Sequence, residues 1–122
     1  MTTLVEGTHA GEFIVSEGNG NISRESITVL LGENLVAGAV LGKVTASGKY
    51  IEHDPVGVDG SENAIAVLFD AVDATAADAA GVAITRMAEV SGDDIVWIAA
   101  ISAGNKTDAI ASLKTVDIIV RD

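Results

Sequence analysis

Glycine recurs at short intervals through the apolar stretches of this chain, and that spacing most limits what it can fold into. Leu35-Val36-Ala37-Gly38-Ala39-Val40-Leu41-Gly42-Lys43-Val44-Thr45-Ala46 is interrupted at Gly38 and Gly42, then turned at Ser47-Gly48 before Lys49-Tyr50-Ile51-Glu52. A glycine inside an apolar run weakens a helix and marks a bend or turn between strands. With 13 Gly, one Pro and abundant Val, Ile and Thr, the chain is expected to build many short strands. Its 122 residues suffice for one small domain, not two. A hydrophobic share of 48% rules against a disordered chain despite the high charge.

Along the chain, Ser26-Ile27-Thr28-Val29-Leu30-Leu31 alternates and then turns continuously apolar, a strand ended by Gly32-Glu33-Asn34. Ala64-Ile65-Ala66-Val67-Leu68-Phe69 is short, apolar and bounded by polar residues, which predicts a buried strand. Val82 to Val90 and Val116 to Val120 are strand-like as well. The Ala-rich tract Asp73 to Gly81 is expected to be a close-packed loop, having no larger side chains to anchor a helix. Ser91-Gly92-Asp93-Asp94 is able to cap an element starting at Ile95. Asn105 to Lys114 is the best helix, with Thr107 as its cap, Asp108 at its positive end, Lys114 at its negative end, and Ile110 and Leu113 sharing a face.

Residues 1–24 read as an N-terminal arm and residues 25–122 as the folded domain. The arm surrounds one apolar patch, Phe13-Ile14-Val15, with Gly7, Gly11, Gly18 and Gly20, and such a segment is expected to be mobile until a partner orders it. The longest surface loop is expected at His53 to Glu62, which holds the only Pro.

Charge and chemistry exclude several function classes. A formal net charge of -11 repels phosphate backbones, so no direct nucleic-acid contact is expected. No run of about 20 apolar residues is present to span a membrane, and the first residues carry no secretion signal. With zero Cys and two His, neither thiolate zinc sites nor a Ser-His-Asp set has support. His53, beside Asp54 and near Glu52 and Asp59, reads as part of a solvated acidic loop rather than a metal site. Gly18-Asn19-Gly20 is a turn and not a dinucleotide loop. Lys43 and Lys49 follow glycines as a carrier lysine would, yet their flanks do not match, and Asp59-Gly60-Ser61 is too short to mark a nucleotide pocket. The expectation is therefore no catalytic residues, no cofactor and no metal. Trp97, the sole Trp, reads as a core or subunit-contact residue.

The order of several segments resembles that in head decoration proteins of tailed phages, the family of the lambda head decoration protein D. The segments are Leu4-Val5-Glu6-Gly7-Thr8-His9-Ala10-Gly11-Glu12-Phe13, Leu35 to Gly42 with Ser47-Gly48-Lys49-Tyr50, Ala64 to Leu68, Val72-Asp73-Ala74-Thr75, and Val96-Trp97 before Ile118-Ile119-Val120-Arg121. The resemblance implies a mainly β, β-clip-like small domain with short helices and a flexible N-terminal arm. It also implies a capsid decoration protein that binds the major capsid protein as a homotrimer on the outer surface of the virion head, after assembly in the host cytoplasm. On that view Phe13, Ile14 and Val15 would attach the arm to the capsid, with Phe13 as anchor. The alternatives are a small nucleotide-binding or hydrolytic enzyme on the same β-clip fold, or a swinging-arm carrier domain.

Overall fold

A computed structural model describes residues 9–121. The chain is mainly β, and the described residues form ten short strands and one helix in succession. They are β1 (Ile14–Glu17), β2 (Arg24–Val29), β3 (Glu33–Leu35), β4 (Val40–Lys43), β5 (Tyr50–Glu52), β6 (Ala66–Leu68), β7 (Val72–Ala74), β8 (Ala79–Ile84), β9 (Ala88–Ser91), α1 (Ala103–Thr115) and β10 (Ile118–Arg121). Five of these close a barrel in the order β2-β5-β4-β6-β8, with β2 and β8 paired antiparallel from Arg24 opposite Ile84 to Val29 opposite Ala79. Closure leaves the barrel without a free edge. Beside it lie a three-stranded sheet, β1-β9-β10, and the hairpin-like pair β3-β7.

The apolar run around Ala64 forms β6, buried along its whole length because its two faces serve two cores. Val67 joins Phe13, Val40, Ile84, Leu113 and Ile118, where the barrel meets the three-stranded sheet and α1. Leu68 faces the other way, with Val29, Leu35, Leu41, Tyr50 and Val72. A strand buried on both faces loses the polar-apolar alternation of a half-exposed one.

Three expectations are corrected. The tract expected as a loop from Asp73 to Gly81 contributes β7 and the start of β8, with only the turn between them irregular. Its small residues are what permit this: a Cβ on Gly81 would sit 2.8 Å from Val72 Cγ2, so only glycine lets β8 lie this close to β7. The turn itself is shaped by Asp73, whose Oδ1 accepts from the Thr75 backbone N–H (3.0 Å) and hydroxyl (2.7 Å). Second, Val82 to Val90 is broken, because Met87 adopts φ 52° between β8 and β9.

Third, α1 starts earlier than Thr107. Ser102 is the N-cap, accepting from the Asn105 N–H at 3.1 Å, while the Thr107 hydroxyl donates back to the Ala103 carbonyl inside the helix. Asp108 therefore stands mid-helix, and the buried pair is Ala109 and Leu113 rather than Ile110 and Leu113. Among the described residues α1 is the one helix, and no strand or helix starts at Ile95.

The expected boundary between residues 24 and 25 lies within β2. From Phe13 onward the expected arm is part of the fold. Ser23 is fully buried, its hydroxyl donates to the Met87 carbonyl at 2.8 Å and accepts from the Gly18 N–H at 2.9 Å. The expected mobility of residues 1–8 lies outside the described residues.

Candidate functional site

The apolar patch Phe13-Ile14-Val15 is split by β1. Its pairing with β9 sets Ile14 opposite Val90 and Ser16 opposite Glu89, which leaves Val15 as the extra residue of a bulge. Phe13 is 0% exposed in the core between barrel and sheet, and its carbonyl accepts from the Ser91 N–H at 2.7 Å. Ile14 packs half-buried on the same core, whereas Val15 is 55% exposed. Phe13 is thus packed inside the domain. Its flanking glycines concealed this in the sequence, because tertiary pairing with β9 overrides the flexibility they suggest.

Glu89 ties the three-stranded sheet together on its outer side. It accepts from the Ser16 hydroxyl of β1 (3.0 Å) and from Arg121 of β10 (2.8 Å). The Arg121 guanidinium, then the Ser16 hydroxyl, hold its carboxyl below the usual range.

Trp97 is half-buried and packs against the core that holds Phe13. Its segment is positioned by an isolated bridge between Ala39 and Val96, with Val40 N–H donating to the Val96 carbonyl and Val96 N–H to the Gly38 carbonyl. A ring that keeps one side in solvent loses less on truncation than a fully buried one, so Trp97→Ala should destabilise the fold by about 1–3 kcal/mol. Thermal melting checks the size, and wild-type fluorescence should be intermediate between buried and solvated tryptophan. A loss equal to that of a fully buried ring would contradict the half-buried placement.

His53 corrects the reading of a solvated loop, since it is 2% exposed. Its backbone N–H donates to the Val40 carbonyl, extending the contact of β5 with β4 and turning the ring inward. Nε2 lies 3.2 Å from the Glu62 carbonyl, which assigns the proton of the neutral ring to Nε2. Nδ1 is buried with no partner among the described residues. Burial pushes the His53 pKa down, against weaker upward pulls from the Glu62 carbonyl and the Asp54 charge.

The unfolded chain therefore takes up this proton before the folded one. Stability should fall as pH drops from the ordinary value of 6.5 toward the lower folded pKa. Neighbouring Glu52 works in the opposite sense: burial, then Glu33 and Asp54, raise its pKa above the ordinary 4.5, so its protonation relieves the folded state. The two are separable by mutation. His53→Gln should flatten the fall in melting temperature between about pH 7 and about pH 5.5, and an unchanged slope would contradict the assignment.

The remaining sequence candidates take structural roles. Lys49 pairs with Asp78, whose other oxygen accepts from the Leu31 N–H, and Lys43 lies 5.8 Å from the centre of the Tyr50 ring. Asp59 caps Ser61 through Oδ1, and Gly60 N–H donates to Glu62. A surface cleft of about 350 Å³ is lined by Arg24, Glu25, Ser26 and Phe69, but Arg24 is bound to Glu17 and stacked 4.3 Å over Phe69, and Glu25 to Arg86. Among the described residues no three His, Cys, Asp or Glu side chains are grouped to hold a metal ion, and no helix is long and apolar enough to cross a membrane.

What stands out on the surface is apolar. Val56 and Val58 are 81% and 97% exposed in the loop between β5 and β6, a feature that the sequence marked only as a long loop. A family model described as bacteriophage lambda head decoration protein D matches residues 3–118. No curated protein matches the chain at significant similarity.

Proposed function

Since the chain belongs to the bacteriophage lambda head decoration protein D family, we propose that it cements a phage head by binding the major capsid protein as a homotrimer on the outer face of the expanded shell. In that position it reinforces the lattice against the pressure of packaged DNA. The observation that carries this reading is the family match over almost the whole chain, from residue 3 to residue 118. The family decorates capsids and is structural rather than enzymatic.

Two physical features support the finer parts. A net charge of -11 suits the outside of a shell, where no DNA contact is required. The exposed apolar residues, among them Val36, Val56 and Val58, offer more area for protein contact than an isolated small domain needs. The solvent side of Trp97 is open to a neighbour in the trimer. Because Phe13 is held in the core, attachment falls to surface residues instead.

Co-sedimentation with expanded heads, together with the mass of the free and bound protein, tests the reading. Saturable binding to expanded heads, in multiples of three copies, is the expected result. Failure to bind expanded heads at any concentration would overturn it.

A further inference from the structure

The loop between β5 and β6 presents its two valines on a fixed backbone. The Asp54 N–H donates to the Ser61 carbonyl at 3.0 Å across the neck of the loop, and the Gly57 N–H returns to the Asp54 carbonyl at 2.9 Å. Asp54 Oδ1 accepts from the Val56 N–H at 3.1 Å, closing the turn that carries the first valine. On the far side, the Asp59 carbonyl accepts from the Thr45 N–H at 2.9 Å and ties the loop to the end of β4. The neck is buried, with His53 at 2% and Ser61 at 1% exposure. Val56 and Val58 stand at 81% and 97% exposure above this base, the highest values among the large apolar residues of the described chain. A loop held in shape loses little entropy when it docks, so its apolar contacts count toward affinity.

The charges around the valines select the partner. Glu52, Asp54, Asp59 and Glu62 flank them in sequence, against one cation, Lys43, which shares a cleft with Gly60. Within the homotrimer proposed above, a neighbouring copy would bring more acidic surface to this acidic loop, so the contacts between copies fall to other surfaces. We propose that residues 54–60 form a preformed knob that seats in an apolar pocket rimmed by Lys or Arg on the major capsid protein. This rests on the head-decoration reading above.

The test uses the full-length chain carrying Val56→Ser with Val58→Ser, and expanded heads assembled from the major capsid protein of the same phage. Both positions are exposed, so the melting temperature and oligomeric mass should match the wild type, while head affinity falls at least about tenfold. Wild-type affinity should also weaken as salt is raised. Undiminished head binding by the variant would overturn the knob while leaving the decoration reading intact, because the wild type still binds. Loss of the oligomer in the variant would make the loop a contact between copies, and salt-independent binding would remove the basic rim; either result overturns the proposal. If the wild type itself fails to bind heads, the decoration reading has failed and the knob falls with it.

Discussion

Replacing Phe13 by alanine should destabilise the folded chain by about 3–5 kcal/mol, the range for losing a fully buried phenylalanine and leaving a cavity. The ring is 0% exposed and belongs to the core that includes Val40, Val67, Ile84, Leu113 and Ile118. These come from the barrel, α1 and the three-stranded sheet, so the space left behind is walled by separate elements that cannot all collapse into it. For a domain of this size, the fall in melting temperature should be on the order of 10–20 °C. Val15→Ala, two positions on, should change stability by about 0.5 kcal/mol or less, because Val15 is 55% exposed on a bulge. Removal of residues 1–19 takes away Phe13 and all of β1, and should prevent stable folding. Thermal and urea unfolding of the three variants checks the order. A Phe13→Ala variant melting with the wild type would mean that residues 13–17 are a detachable arm after all.

Gly42→Ala should also be costly, although it adds a single methyl group. Gly42 lies in β4 opposite Ile51, and a Cβ there would fall 2.5 Å from the Ser61 carbonyl oxygen and 2.6 Å from Ser61 Cα. The obstruction is backbone, not the end of a flexible side chain, so the strand or the neck of the 54–60 loop has to move. Ser61 is pinned by Asp59 and by the Asp54 N–H, which makes that movement expensive. Overpacking of this kind costs about 1–3 kcal/mol. Gly104→Ala is the control, since nothing lies within 4 Å of a Cβ there and the residue is helical. It should be neutral or stabilise by up to about 1 kcal/mol. Equal melting temperatures for the Gly42 and Gly104 variants would contradict the close approach of β4 and the loop neck.

The legible parts of the fold were those in which local pattern and tertiary placement agree. Ala66 to Leu68 is a buried strand by sequence and in space, and Gly38 does separate β3 from β4, whereas Gly42, expected as a second interruption, lies inside β4. Mismatches arise where a partner distant in sequence decides the outcome. Ala79, Ala80 and Gly81 carry no strand preference of their own, yet pairing with Val29, Thr28 and Ile27 of β2 recruits them to close the barrel. Phe13 sits among glycines that predict freedom, and only its pairing through β9 buries it. Ser102 and Thr107 are both good caps by residue type, and the choice between them follows from which turn places Ala109 and Leu113 on the core. His53 was indistinguishable from its acidic neighbours until β4 and β5 came together. The exposed valines at 56 and 58 left no mark in the sequence beyond the length of their loop, because exposure depends on what the remainder of the chain does not cover.

Cryo-microscopy of expanded heads incubated with the purified chain tests the decoration function most directly. The account predicts density for three copies around each threefold position on the outer surface, with the 54–60 loop facing the shell. Density on the inner surface, or heads that remain undecorated at saturating protein, would contradict it.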